Sequence, residues 1–189
     1  MSRVIFYTAT TLNGFLADDE DSLDWLFAAP GGEGGDEDFQ RFLSGIGVLV
    51  QGSSTYRWVV EHEDLIAHPE KWPTYYGDRP TWVFSSREQP RVPGVDIRFT
   101  SGDVRDAWPE IDKAARDRDV WVVGGGDLAG QFADAGLLDE IRVSVAPATL
   151  PSGKPLLPRR LGADRLELVE VRQAGAFAEL TYAVKAARS

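Results

Sequence analysis

The sequence predicts an α/β protein: a mixed, mostly parallel sheet with an antiparallel C-terminal hairpin and helices on both faces. Short apolar runs (Gly47-Val48-Leu49-Val50, Thr81-Trp82-Val83-Phe84, Val120-Trp121-Val122-Val123) alternate with stretches of helical spacing, which implies crossover connections between parallel strands. The end of the chain differs. Residues 166–171 and 178–184 alternate apolar and polar side chains about a glycine-containing turn at 174–176, the pattern of a hairpin with one wet face. Neither an internal repeat nor a second composition regime interrupts residues 1–189, so the chain reads as one domain.

The elements follow in order. Strands are expected at 3–9, 46–51, 81–85, 95–99, 120–123, 139–148, 165–173 and 177–185, and helices at 36–44, 53–62, 104–117 and 127–136. The first strand begins almost at once, in a segment too short for a signal peptide. Asp36-Glu37-Asp38 gives the first helix an acidic start, which suits the positive end of its dipole. Ser53, Ser54 or Thr55 can cap the second helix. Leu128, Phe132 and Leu137 carry the apolar spacing of the last. Two loops, 10–35 and 63–80, are long enough to be either functional lids or disordered, and the aromatic content of the second argues against disorder.

With 20 basic and 30 acidic side chains the net charge is −10. Such a surface repels nucleic acid and anionic lipid unless a local basic patch intervenes, and no run of the sequence supplies one. No apolar run approaches the roughly 18 residues that a membrane span needs. Cysteine is absent, which excludes disulfides and thiolate metal sites and fits a cytoplasmic protein. His62 and His68 are the only histidines, without a carboxylate cluster beside them, so no metal site is expected.

Three predicted strand ends carry chemistry. Gly124-Gly125-Gly126-Asp127-Leu128 joins a buried strand to a helix, which lets backbone approach a ligand closely and points free N–H groups at an anion. A plain tight turn is the alternative reading. The spacing Gly124-x-Gly126-x-x-Ala129 matches a dinucleotide fingerprint only formally, because it follows a late strand with no acidic residue about 20 positions on. Gly52-Ser53-Ser54-Thr55 repeats the arrangement with hydroxyls at the helix start. Ser85-Ser86-Arg87 ends a third strand with two hydroxyls and a planar guanidinium suited to phosphate. Ligands of open α/β sheets bind at this carboxyl edge. A fourth segment, Thr10 to Asp18, turns at Asn13-Gly14 after the first strand.

In this order, the four segments resemble the dihydrofolate-reductase-like superfamily, and nearest within it the C-terminal reductase domain of the bifunctional riboflavin-biosynthesis deaminase-reductase. The resemblance covers nearly the whole chain. Its most specific part is the triple glycine followed by Gly136-Leu137-Leu138-Asp139-Glu140-Ile141, Ala146-Pro147 and Ser152-Gly153-Lys154-Pro155-Leu156. It implies a three-layer fold and a reductase that takes hydride from NADPH, with NADH as the alternative donor, and passes it to a pterin- or pyrimidine-like heterocycle.

On that resemblance Gly124, Gly125, Gly126, Asp127 and Leu128 hold the pyrophosphate, with a cis peptide at Gly124-Gly125. Gly52, Ser53, Ser54 and Thr55 begin a helix that also faces the phosphates. Ser85, Ser86 and Arg87 surround the 2′-phosphate, and Ala9, Leu16 and Ala17 line the nicotinamide. Asn13, Trp25 and Tyr56 are the substrate candidates. Asp36 and Asp38 are candidate proton donors, because a carboxylate beside a reduced-ring substrate can relay a proton while hydride arrives from the cofactor. The alternative for both is a helix start explained by the dipole alone.

The chain departs from its relatives at Asn13, where many carry Asp, and at Ser53, where Arg or Lys is common. Positive charge then falls to Arg57 and Arg87. With no cysteine there is no deaminase signature, so a stand-alone reductase is expected. The resemblance also points to a homodimer through the C-terminal strands. A non-catalytic protein that keeps the fold and binds a nucleotide, or sequesters a ligand, is the rival reading.

Overall fold

The computed structural model describes residues 1–30 and 37–186. Strand β1 (Val4–Thr11) is followed by the short β2 (Phe15–Ala17), α1 (Asp24–Phe27) and α2 (Glu37–Gly45). Next come β3 (Ile46–Gly52), α3 (Ser53–His62), a 3₁₀ turn at Pro69–Lys71, α4 (Trp72–Tyr76), β4 (Thr81–Phe84) and β5 (Ile97–Thr100). The second half holds α5 (Val104–Ala115), β6 (Asp119–Gly124), α6 (Gly126–Asp134), β7 (Leu138–Ala146), β8 (Lys154–Pro155), β9 (Leu166–Ala174) and β10 (Phe177–Val184). Each predicted strand and helix is present within a few residues of its expected bounds; β2, β8, α1, α4 and the 3₁₀ turn are additions.

The main sheet runs β5-β4-β3-β6-β1-β7-β10-β9. From β5 to β7 every pairing is parallel. β10 then pairs antiparallel with both β7 and β9, completing the mixed sheet. In the parallel part all strand carboxyl ends share one edge. β2 and β8 form a separate two-stranded ribbon beside it.

Alternation along the central strands divides the core. Val4 and Phe6 of β1, Val48 and Val50 of β3, and Val120 and Val122 of β6 face α5 and α6, where Ile111, Leu128 and Phe132 meet them. Ile5, Leu49 and Trp121 point the other way, onto Phe42, Tyr56, Val60, Trp72 and Tyr76 of α2, α3 and α4. A strand buried on both faces has no polar position, hence its continuous apolar run. The long 63–80 loop is pinned by its aromatics: Trp72 is fully buried, with its ring 4.8 Å from Tyr76 and 6.3 Å from Tyr56. These rings pack the core, not a ligand pocket. No described helix is long and apolar enough to cross a membrane.

Candidate active site

Two helix N-termini meet at the carboxyl edge. β3 and β6 are neighbours, with Gln51 opposite Gly124, so their outgoing helices α3 and α6 begin side by side. The N-cap of α3 is Gly52 and that of α6 is Gly125, and neither helix has a side-chain cap. The first N–H groups of both helices are therefore left to an outside acceptor. A Cβ on Gly52 would lie 3.4 Å from the Gly125 nitrogen, and one on Gly124 only 2.9 Å from Thr55 Oγ1. The peptide Gly124-Gly125 is cis. Two uncapped positive dipole ends beside a side-chain-free surface make a cradle that can accept an anion.

The expected caps at Ser53, Ser54 and Thr55 are not formed, so their hydroxyls stay available among the described residues. β4 lies next to β3 with Phe84 opposite Gly52, which sets Ser85, Ser86 and Arg87 beside this cradle. Ser85 is spent on the turn: its Oγ donates to the Arg87 carbonyl (2.7 Å) and accepts from Arg87 N (3.1 Å) and Gln89 Nε2 (3.0 Å). Ser86 and Arg87 are exposed. Gln89, which sequence reasoning passed over, is buried and links Ser85 to Arg57, whose Nη2 is 3.5 Å from Gln89 Oε1.

On the other side of the glycine turn, the loop after β7 closes the site. A Cβ on Gly126 would collide with the backbone carbonyls of Pro155 and Leu156. Leu156 N in turn donates to the Gly14 carbonyl at 2.9 Å, and Phe15 pairs with Pro155. Asp127 is exposed but held: Arg159 Nη2 donates to it at 2.9 Å while Arg159 Nε reaches Asp134 at 2.7 Å. Hydrogen bonds from Gln131 and then Arg159 lower the Asp127 pKa. Leu128 is buried under α6, and Leu16 packs against the same core cluster. Ala9 and Ala17 lie at the end of β1 and in β2, half-buried and buried respectively. Pro155 and Leu156 had no signal of their own beyond the family pattern, because they contribute backbone carbonyls, and Arg159 had none because its carboxylate partners lie on α6.

The substrate and proton-donor candidates are placed differently. Tyr56 is fully buried and its hydroxyl donates to the Pro90 carbonyl at 2.6 Å, so it is a core residue beneath α3, beyond a substrate's reach. Burial pushes its phenol up to about 12. Asn13 is exposed, yet its amide clamps the 148–150 loop: Nδ2 donates to the Leu150 carbonyl (2.7 Å) and Oδ1 accepts from Leu150 N (3.2 Å). Trp25 packs with Ala29, Ala146 and Phe177 near the end of β7, and its buried indole N–H has no partner among the described residues. Asp38 faces the hairpin, paired with Arg41 at 2.7 Å and with Arg172 of β9, which also binds Glu179. It lines a cavity of about 380 Å³ between α2 and the sheet, floored by Tyr7 and Phe42. Asp36 lies outside the described residues. No cluster able to hold a metal ion occurs among the described residues.

The comparisons with known proteins agree with the fold. The Bacillus subtilis protein YyaP, itself uncharacterized, is 29 % identical over 160 residues, covering 82 % of this chain and 79 % of its own. A Shewanella sp. PV-4 protein that carries a riboflavin-biosynthesis name superposes with a TM-score of 0.77 at 23 % identity, over 97 % of this chain and 99 % of its own. Dihydrofolate reductase from Enterococcus faecalis, solved with NADP(H) and RAB-propyl, superposes with a TM-score of 0.62 at 16 % identity, over 97 % of both chains. The RibD C-terminal domain model matches residues 2–177. With its dihydrofolate-reductase-like fold, the chain belongs to the RibD C-terminal domain family, a reductase-type domain.

Proposed function

We propose that the protein is an NADPH-dependent reductase that transfers hydride to a C=N or C=O bond of a small planar heterocycle of pterin or pyrimidine type. The observation that carries this reading is the pair of uncapped, glycine-started helices α3 and α6 converging at one strand edge. Family membership supports reductase chemistry, and the enterococcal enzyme of the same fold was solved with NADP(H). Bound at this edge, the cofactor supplies the hydride.

The chain's own residues do the binding and orienting. Backbone N–H groups of α3 and α6 take the diphosphate, assisted by Ser53, Ser54 and Thr55. Arg87 and Ser86 take the 2′-phosphate, and Arg87 is what favours NADPH over NADH. Ala9, Leu16 and Ala17 offer the nicotinamide an apolar wall, and the half-buried Trp25 ring offers a flat substrate a stacking face. The reading includes a cytoplasmic homodimer. β9 is an edge strand whose Leu168, Val169 and Val171 are 51, 62 and 62 % exposed, and such an edge invites a partner strand.

Binding without turnover is the second reading. It is favoured by Asn13, which stands where many relatives have a carboxylate, and by the ion-paired Asp38. The discriminating experiment measures NADPH affinity for the wild type and Gly52→Ala, then NADPH oxidation with pterin and pyrimidine substrates. The methyl group fits Gly52 sterically but occupies the cradle, so a loss of affinity of tenfold or more is expected in a folded protein. Unchanged affinity removes the cofactor assignment. Retained binding with no oxidation of any substrate selects the second reading.

A further inference from the structure

The N-terminal edge of the sheet, opposite the glycine turn, gathers positive charge in a chain whose net charge is −10. Arg79, Arg98, Lys113, Arg116 and Arg118 line a cavity of about 830 Å³ there. Only three carboxylates, those of Asp78, Asp96 and Glu110, share it.

Two of the five cations are already committed. Arg79 is fixed by hydrogen bonds to the carbonyls of Leu43, Ile46 (2.9 Å) and Tyr76 (2.7 Å). Arg98 pairs with Asp96 at 2.8 Å and lies 4.4 Å from the centre of the Trp82 ring. Lys113, Arg116 and Arg118 make no side-chain hydrogen bond or ion pair among the described residues. Arg79 registers the crowding: burial first, and then the charge of Arg118, lower its pKa.

The backbone explains how the cations come together. α5 ends in two consecutive non-glycine residues of left-handed conformation, Arg116 at φ 53° and Asp117 at φ 63°. Arg116 is the C-cap of α5, and a left-handed residue is a common way to end a helix. Here the turn sets Arg116 and Arg118 on the cavity and leaves Asp117 off it. The carbonyl end of α5 accounts for cations within its last turn, but not for Arg79, Arg98 and Arg118, which belong to the strand starts.

We propose that this cavity binds a compact polyanion, the pyrophosphate or phosphomonoester group of a small phosphorylated molecule. Lys113, Arg116 and Arg118 make the contacts, and Arg79 forms the fixed cationic wall. The cavity falls within the size range of small-molecule sites and leaves room for the body of the ligand. The site lies at the opposite edge from the cofactor cradle and does not depend on it.

The test is thermal unfolding of the full chain in sodium pyrophosphate against sodium chloride of equal ionic strength, with and without saturating NADPH. The wild type, Arg118→Gln, Arg116→Gln/Arg118→Gln and Gly52→Ala are compared. Expected is a saturable rise in Tm of roughly 3 °C at tenfold excess over Kd, present in wild type and Gly52→Ala and lost in the double variant. Without anion, Arg118→Gln should melt at or above the wild type, because it relieves the crowding at Arg79. A phosphomonoester that gives the same rise as pyrophosphate identifies the single phosphate as sufficient; a rise only with pyrophosphate identifies the diphosphate. No rise beyond the chloride control overturns the proposal. So does a rise retained by the double variant, or one abolished by Gly52→Ala, either of which assigns the pyrophosphate to the glycine turn.

Discussion

Thr55 and Gly124 touch across two adjacent strand ends: a first side-chain carbon on Gly124 would lie 2.9 Å from Thr55 Oγ1. The helix that starts after β3 can therefore approach the turn that ends β6 only because Gly124 has no side chain. Gly124→Ala should lower stability by about 1–3 kcal/mol through overpacking, and Thr55→Ala should recover most of that loss in the double variant. Calorimetry on the four-member cycle checks this. Additive single effects would mean that the two residues do not press on one another.

Gly126 is the more severe position. Its neighbours are the backbone carbonyls of Pro155 and Leu156, which cannot rotate away as a side chain can. Gly126→Ala should cost about 2 kcal/mol or more, roughly 4–8 °C in Tm for a chain of this size. Hydrogen exchange in residues 153–161 should rise at the same time, since the loop is displaced from α6. A stable variant with unchanged exchange there would show that the loop does not lean on the glycine turn.

Asp38 is held in a charge pair with Arg172 and Arg41 on the face toward the hairpin. Partly exposed pairs of this kind contribute about 0.2–1 kcal/mol. Asp38→Asn should lower Tm by about 1–3 °C and leave kcat within twofold. A hundredfold fall in kcat at unchanged Tm would restore Asp38 as a proton donor.

Tyr56 sets an alkaline limit. Its phenol is raised from 10 to about 12 by burial, and burial also raises Tyr76, so the folded state favours the protonated forms. Their stabilising contribution is complete below pH 10 and is lost as pH rises toward 12. Denaturant midpoints should therefore fall between pH 10 and 12, and Tyr56→Phe should flatten that decline. An equally steep decline in Tyr56→Phe would place its cause elsewhere.

Most of the architecture was readable from the side-chain pattern. β3 and β6 are apolar on consecutive positions because helices cover both faces, whereas β9, at the sheet edge, leaves Leu168, Val169 and Val171 exposed, so its alternation does not mark a buried face. β2 and β8 escaped because strands of three and two residues carry no period. α1 and α4 sit within long loops whose polar or aromatic content hides a single helical turn. The glycine turn was legible for a different reason: close backbone approach at Gly124 and Gly126 demands a residue without a side chain.

Side-chain direction and long-range neighbours were not legible. Nothing in Tyr56 distinguishes a substrate contact from a core phenol until Pro90 is seen beside its hydroxyl. Asp38 became a partner of Arg172 through a contact 134 positions away in the chain, and only folding creates it. The sequence shows no basic run, yet Arg79, Arg98, Lys113, Arg116 and Arg118 line one cavity because parallel strands start at a common edge. Periodicity and residue type are local properties, and they were enough to determine the elements, the two-sided burial of the central strands and the glycine turns at the carboxyl edge. Which charges meet, and which side chains remain open to a ligand, depends on through-space energies that the tertiary structure alone decides.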